Sequence, residues 1–196
     1  MIAREDKILK YLDIPLQHCN DKILKKMNRR GDKKYLCALL DKLRERIPGL
    51  VLRTSIIAGL PGEGEEEFDE LCDFLREQKL LRAGVFPYSP EEGTRAAKME
   101  RVDSDEAARR AERIVDIQSE IIDAWNDERQ GDVMEVLCEG FDGQSMLFVG
   151  RSYAESPDID GRIYFSAPRD VAAGEFVPVR ITGAMDGELT GELAEE

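Results

Sequence analysis

The sequence lacks the short cysteine and histidine spacings that bind zinc or iron–sulfur clusters. Its cysteines are Cys19, Cys37, Cys72 and Cys138, separated by 18, 35 and 66 positions without a C-x-x-C pair, and His18 is the single histidine. Ligands of such sites usually recur at short spacings. We therefore expect no metal ligand in this chain and do not assign His18 a catalytic role. Cys37 and Cys72 fall at apolar helical positions and are expected in the core.

Long apolar runs are also absent. No stretch approaches the roughly 18 residues of a membrane span, and no signal-peptide pattern follows Met1. We therefore expect a cytoplasmic protein without a membrane partner. The 196 residues, 42% of them hydrophobic, are enough for two domains with real cores.

Lysine is absent from residues 131–196. That stretch carries 14 acidic side chains against four arginines, a net charge of −10, whereas residues 1–130 carry 27 against 24, a net charge of −3. An acidic surface repels nucleic acid and attracts basic proteins. Nucleic acid is therefore not the expected partner of the C-terminal third.

Strand and helix patterns alternate in the first half of the chain. The predicted elements are a strand at 7–17, a short helix capped by Asn20 and ended by Gly31, a helix capped by Asp32 with the apolar stripe Tyr35, Leu36, Leu39, Leu40, Leu43 and Ile47, a strand at 50–57, a helix at 65–79 and a strand at 83–89. This alternation predicts parallel strands. A complete β/α barrel takes about 250 residues, so residues 1–100 are expected to be a later part of a barrel whose earlier units are missing.

The pattern changes after residue 100. Residues 101–130 predict one amphipathic helix that Asp103 opens, with Glu106 completing a capping box. Five short apolar runs divided by Gly, Asp and Pro then follow, and they predict a small antiparallel β-barrel at 131–196. The runs are VMEVLC, SMLFVG, RIYFSA, FVPVRIT and GELTGEL.

The stretch TSIIAGLPGEGEEEFDEL, residues 54–71, combines a strand, a glycine turn and a helix start. Such corners often bind phosphate at the helix N-terminus. The carboxylates crowded there suit the helix dipole but would repel a phosphate. The turn is therefore either a plain connection or the binding site of a ligand without phosphate.

Five stretches resemble the radical S-adenosylmethionine (SAM) methylthiotransferase family, and the last resembles its ribosomal-protein branch. They are YLDIPLQHCND (11–21), KKMNRRG (25–31), RTSIIAGLPGE (53–63), FPYSPEEGTRA (86–96) and GRSYAESPDIDGRIYF (150–165). The family's C-x-x-x-C-x-x-C motif and its N-terminal domain have no counterpart here. The resemblance implies the C-terminal part of a radical SAM (β/α) barrel followed by an all-β, OB-like TRAM barrel.

The resemblance also implies a reaction and its cofactors. A 5′-deoxyadenosyl radical from SAM would take hydrogen from the β-carbon of an aspartate in small-subunit ribosomal protein number twelve, and a methylthio group would be inserted there. The full-length enzyme would hold two 4Fe-4S clusters. This chain would hold neither, would need the missing N-terminal half as a partner, and would be inactive alone.

The same resemblance places SAM contacts at the carboxyl ends of the strands. Arg53 would pair with the SAM carboxylate, Ile57 would contact the adenine, and Gly59 would let the backbone approach closely. Gln17 and Tyr88 would hydrogen-bond the cofactor, although packing roles are the alternative for both. No catalytic residue is assigned to this chain.

Asp158 and Asp160 are the predicted substrate-docking residues, because Pro157 and Gly161 bracket them in a surface turn. The alternative is an Asx-type turn in which both aspartates cap their own backbone.

The basic run at 22–34 is interpreted as a solvated helix face rather than a nucleic-acid site. Two other functions stay open: a transfer-RNA methylthiotransferase and a non-catalytic truncated barrel acting as a binding module.

Overall fold

The structure, a computed structural model, describes residues 1–194, which divide into one unit at 1–121 and a second from residue 122 onward. The first unit contains β1 (Tyr11–Asp13), α1 (Asp21–Lys26), α2 (Lys33–Arg46), β2 (Val51–Ala58), α3 (Glu65–Gln78), β3 (Arg82–Pro87), a 3₁₀ turn (Ala96–Lys98) and most of α4 (Ser104–Glu128). The second contains the end of α4 and β4 (Val133–Asp142), β5 (Leu147–Arg151), β6 (Ile163–Ser166), β7 (Phe176–Met185) and β8 (Glu188–Leu193). No helix within residues 1–194 is long and apolar enough to cross a membrane.

The sheet of the first unit is parallel, in the order β1-β2-β3, which confirms the prediction of parallel strands. One face of β2 supplies Leu52, Ile56 and Ala58 to the core. That core is completed by apolar side chains of the four helices, among them Leu24, Leu40, Phe68, Leu71, Phe74, Leu75 and Ile114. The helices therefore cover one face of the sheet.

The first strand is shorter than predicted. It spans Tyr11–Asp13 rather than residues 7–17, although Gln17 rejoins β2 as an isolated parallel bridge to Ile56. Pro15 lies between the two pairings and has no N–H to donate, so it interrupts the ladder. Pro15 was predicted to end the strand and does interrupt the pairing, whereas the predicted start at residue 7 was four residues too early.

The first helix also ends earlier than predicted, at Lys26 instead of Gly31. Asn28 adopts a left-handed φ of 58°, and the N–H of Arg29 donates to the carbonyl of Leu24 at 2.9 Å. This closure terminates a helix, and asparagine tolerates the conformation better than most residues. The predicted caps Asn20 and Asp32 are confirmed by hydrogen bonds from their side chains to backbone N–H groups.

One member of the predicted apolar stripe of α2 lies outside the core. Tyr35 is 56% exposed, and its ring covers Gly31, where an added Cβ would meet ring atom Cδ1 at 2.8 Å. Leu36 and Leu40 are buried as predicted. The helical period placed Tyr35 near the apolar face, but its ring packs on the preceding loop instead.

The described strands of the second unit form a closed barrel in the order β4-β5-β6-β8-β7, which confirms the predicted small β-barrel. The strand direction differs from the prediction at one seam, where β6 and β8 pair in parallel. Gly150 and Gly191 permit close strand approach, since an added Cβ would lie 2.4 Å from Leu137 O and 2.5 Å from Arg180 O respectively. Val136, Ile163, Phe165, Val179 and Ile181 are among the side chains that fill the interior.

Candidate cofactor-binding face

The face of the β1-β2-β3 sheet opposite the helices is only partly buried. Side chains alternate across a strand, so Arg53, Ser55 and Ile57 point away from the core residues of β2. Register places Asp13 beside Arg53, Gly84 beside Ser55, and Phe86 beside Ile57. We call this surface the open face; it is defined by Asp13, Arg53, Ser55, Ile57, Gly84 and Phe86.

Arg53 provides a cation on the open face. Its Nη1 donates to Oδ2 of Asp13, and its side chain is 14% exposed. Nη2 lies 3.6 Å from the position that a Cβ on Gly84 would occupy. Gly84 therefore lies next to the guanidinium, and Asp13 holds it in place.

Gln17 lies at the carboxyl edge of the sheet beside Ile57. Its N–H donates to Ser55 O at 2.8 Å, and its carbonyl accepts from Ile57 N at 3.0 Å. Its φ of 66° lies in the left-handed region, which costs a non-glycine residue energy. Its side-chain oxygen accepts from Arg29. Of the predicted contacts, Gln17 and Ile57 are thus neighbours at this edge, whereas Arg53 lies on the same face of β2 four residues earlier.

Tyr88 follows β3 and extends the same edge. Its N–H donates to Ala58 O at 2.7 Å. Its hydroxyl is buried, and within residues 1–194 it has no hydrogen-bond partner. Buried polar groups are normally hydrogen-bonded, so this hydroxyl is available to a ligand.

Gly59 is buried at the end of β2 with a φ of 81°. A Cβ added there would lie 2.4 Å from Cβ of Ala107 in α4. The missing side chain therefore permits close packing of α4 against the turn, a role that the sequence did not suggest. The cofactor contact of its backbone stays a prediction.

Ion pairs to the surrounding helices partly offset the charge of the acidic turn. The pairs join Glu63 and Glu65 to Arg110, Glu67 to Lys22, Asp69 to Arg113, and Glu70 to Lys33. Acidic residues at the start of α3 also suit its dipole. Lys22 and Lys33 of the basic run thus pair with carboxylates of the turn.

A buried network of His18, Glu63 and Arg110 escaped the sequence analysis. Oε1 of Glu63 accepts from Arg110 Nη1 and from Gly59 N, both at 2.9 Å, while Oε2 lies 3.3 Å from His18 Nε2. Burial acts to raise the pKa of Glu63, but contacts from His18, Gly59 and Arg110 outweigh it and lower that pKa. Glu63 is therefore held as a buried carboxylate. Its partners lie 45 and 47 positions away in sequence, so no local pattern reveals them.

The cysteines do not fit an iron–sulfur cluster. All four are free cysteines, and burial raises the pKa of each thiol. Cys72 lies in the core as predicted, whereas Cys37 is only partly buried. Within the described part of the chain, no group of three or more His, Cys, Asp or Glu residues is arranged to hold a metal ion.

The predicted docking residues Asp158 and Asp160 lie in the loop between β5 and β6. Asp158 is exposed, with a left-handed φ of 62°. Asp160 accepts from Ser156 N through Oδ2 at 2.8 Å, so it caps its own loop. Asp160 therefore bonds the backbone of its own loop, although not in an Asx turn, and Asp158 is the more available carboxylate.

Sequence comparison identifies both units. The family model of the radical SAM superfamily matches residues 2–75, and that of the TRAM domain matches residues 131–194. Proteins named ribosomal protein uS12 methylthiotransferase RimO match the chain from end to end: 43% identity in Acetivibrio thermocellus over 100% of this chain, 47% in Pelotomaculum thermopropionicum over 98%, and 44% in Symbiobacterium thermophilum over 100%.

Over its whole length the chain is similar to these methylthiotransferases. It spans only 43%, 44% and 41% of the lengths of those three relatives. The predicted fold, a partial radical SAM barrel followed by a TRAM barrel, is confirmed by the two family matches and the closed barrel. Among solved structures, coproporphyrinogen III oxidase from Escherichia coli aligns with a TM-score of 0.49 at 16% identity, covering 74% of this chain and 39% of that chain.

Proposed function

We propose that this methylthiotransferase chain forms the cofactor-facing and substrate-docking part of an enzyme that places a methylthio group on the β-carbon of an aspartate in small-subunit ribosomal protein uS12. The observation that carries the proposal is the match to proteins with that printed name over the whole chain, at 43% to 47% identity. The acidic, lysine-free second unit supports a basic protein as partner over transfer RNA.

The open face and its carboxyl edge fit SAM. Arg53 pairs with the SAM carboxylate, and Ile57 offers apolar contact to the adenine. The hydroxyl of Tyr88, which has no partner within residues 1–194, hydrogen-bonds the cofactor. Gln17 and the backbone at Gly59 complete the edge. When bound, SAM supplies the radical chemistry; these residues bind and orient it, and we assign none of them a proton-transfer role.

The cluster ligands belong to a segment outside this chain. We expect the 196-residue chain, reconstituted anaerobically with iron and sulfide, to bind no 4Fe-4S cluster and to cleave no SAM, because its four cysteines are dispersed along the chain. Iron and sulfide analysis, with detection of 5′-deoxyadenosine, checks this. A stoichiometric cluster would show that the ligand assignment is wrong.

Arg53 is the predicted anchor of the SAM carboxylate. In a longer form that carries the cluster, Arg53→Ala is expected to raise the SAM dissociation constant by roughly one to two decades, because a charge-assisted pair contributes about 1.5–3 kcal/mol. Calorimetry measures the change, and Arg113→Ala, at an exposed pair on α4, is the control with no expected effect. If Arg53→Ala leaves the SAM affinity unchanged, Arg53 does not bind SAM and its role is the structural ion pair with Asp13.

The loop containing Asp158 and Asp160 is proposed to contact the basic ribosomal protein. Changing both to lysine should slow association and reduce its salt dependence, since peripheral charges act mainly on encounter rate. The control, Asp170→Lys with Asp186→Lys, makes the same charge change elsewhere on the second unit. Surface binding of the whole chain to the ribosomal protein and to a transfer-RNA anticodon stem-loop, each at two salt concentrations, is the measurement. If association with the ribosomal protein slows equally in both variants, the loop is not the docking site. If the chain binds the stem-loop more tightly than the ribosomal protein, the transfer-RNA alternative is favoured.

A further inference from the structure

His18 is fully buried between two loops at the carboxyl edge of the sheet. It directly follows Gln17, and it reaches across to the turn between β2 and α3 through Glu63. The two loops carry the proposed SAM contacts Gln17 and Gly59. The histidine therefore joins the segments that this half of the enzyme presents to its cofactor.

The partners of His18 define which ring nitrogen carries the proton. Nδ1 accepts from the N–H of Asn20 at 3.0 Å. A nitrogen that accepts a hydrogen bond has no proton, so the proton lies on Nε2. Nε2 faces Oε2 of Glu63 at 3.3 Å. This contact is too poorly aligned to count as a hydrogen bond, and within residues 1–194 neither atom has a hydrogen-bond partner.

Glu63 has a cationic partner other than His18. Arg110 donates to Oε1 of Glu63 and also contacts Glu65 and Glu106. A proton on Nδ1 would set two donors, Nδ1–H and the Asn20 N–H, against each other. The geometry therefore favours a neutral imidazole that donates toward Glu63 and accepts from Asn20.

This arrangement accounts for the strained backbone beside it. A left-handed non-glycine residue persists only where its surroundings over-determine it. Gln17 is fixed by its two backbone bonds to β2, and the ring of the next residue, His18, accepts from Asn20 N–H. The side chain of Gln17 is thereby directed to the edge where Arg29 contacts it.

We propose that His18 is a positioning residue: in its neutral Nε2–H form it ties the segment 17–20 to Glu63 and so holds Gln17 in its left-handed conformation at the cofactor edge. The inference rests on the proposed function only in naming that edge as the SAM site. Its test needs no SAM, so failure to bind SAM would count against the proposed function alone.

Two substitutions separate the two contacts of the ring. His18→Asn retains an acceptor near the position of Nδ1 but cannot reach Glu63, whereas His18→Gln retains a donor near Nε2 but loses the acceptor for Asn20. Backbone hydrogen exchange in the whole chain reads the result at Gln17, Ile57 and Asn20, with Val85 in β3 as the internal reference.

In His18→Asn, exchange at Gln17 and Ile57 should accelerate about tenfold relative to Val85, the change expected for roughly one lost hydrogen bond. In His18→Gln, exchange at the Gln17 and Ile57 amides should be as slow as in the unsubstituted chain. Exchange at Asn20 N–H should be faster, because its acceptor is lost. Uniform acceleration, or none, would reduce His18 to ordinary packing and overturn the proposal.

A measurement on the unsubstituted chain keeps the test decisive if a variant does not fold. His18 is the single histidine, so nitrogen-15 labelling of histidine gives one set of imidazole signals. We expect an unprotonated Nδ1 and a protonated Nε2 at neutral pH. An imidazolium, or the opposite tautomer, would overturn the proposal.

Discussion

Replacing Arg110 with methionine is expected to lower the free energy of unfolding by about 3–5 kcal/mol, the usual result of removing one partner of a buried ion pair. The side chain of Arg110 is 8% exposed and that of Glu63 is inaccessible, so the substitution leaves a buried carboxylate without its cation. Chemical denaturation of the whole chain, followed by a signal from the first unit, measures the loss.

Arg113→Met is the matched control. Arg113 lies one turn further along α4, stands over the same Phe68 ring and pairs with Asp69, but half of its side chain is exposed. Exposed pairs contribute about 0–1 kcal/mol. Equal losses in the two variants would mean that the pair of Glu63 with Arg110 is no more stabilising than a surface contact.

The same carboxylate predicts a pH dependence. Because the pKa of Glu63 is lowered in the folded state, its contribution to stability is present above the ordinary glutamate value of 4.5 and is lost as pH falls through the lower folded value. Glu63→Gln should therefore make the loss of stability below pH 4.5 shallower. An unchanged slope would assign that acid sensitivity to other carboxylates, such as Glu67.

Gly59→Ala is expected to cost about 2–5 kcal/mol. Roughly 1–2 kcal/mol comes from the left-handed backbone, and about 1–3 kcal/mol comes from overpacking. The clash is severe because the new Cβ would lie 2.4 Å from Cβ and 3.1 Å from Cα of Ala107, and backbone cannot move aside cheaply.

Gly49→Ala isolates the packing contribution. Gly49 has a φ of 75°, close to the 81° of Gly59, but no atom lies within 4 Å of the added Cβ. It should therefore cost only the backbone strain, about 1–2 kcal/mol. If the two variants lose the same free energy of unfolding, α4 does not pack tightly against Gly59. A ligand that approaches the backbone would then better explain why residue 59 is a glycine.

The fold was predictable where its signals are local. Asn20, Asp32 and Asp103 cap helices through side-chain bonds to residues two or three positions ahead, and such patterns are visible in sequence. The early end of α1 was missed because Asn28, three residues before Gly31, already adopts a left-handed conformation. The parallel seam between β6 and β8 depends on barrel closure, which no local pattern reports.

The candidate site was predictable only in part. Alternation along β2 places Arg53 and Ile57 on one face, and parallel register brings Asp13 beside Arg53. The network around His18 depends on contacts between separate elements, and each member alone resembles an ordinary core or turn residue. The packing of Ala107 on Gly59 was missed for the same reason.

The central claim, that this methylthiotransferase chain acts with a cluster-binding partner segment on a ribosomal protein, is tested most directly by a fusion. The chain would be joined behind the corresponding N-terminal part of the Acetivibrio thermocellus relative, reconstituted with iron and sulfide, and supplied with SAM and reductant. Mass spectrometry of small-subunit ribosomal protein uS12 should show one added methylthio group on an aspartate, and transfer RNA in the same reaction should stay unmodified. A fusion that cleaves SAM yet leaves the ribosomal protein unchanged, or that modifies transfer RNA instead, would contradict the claim.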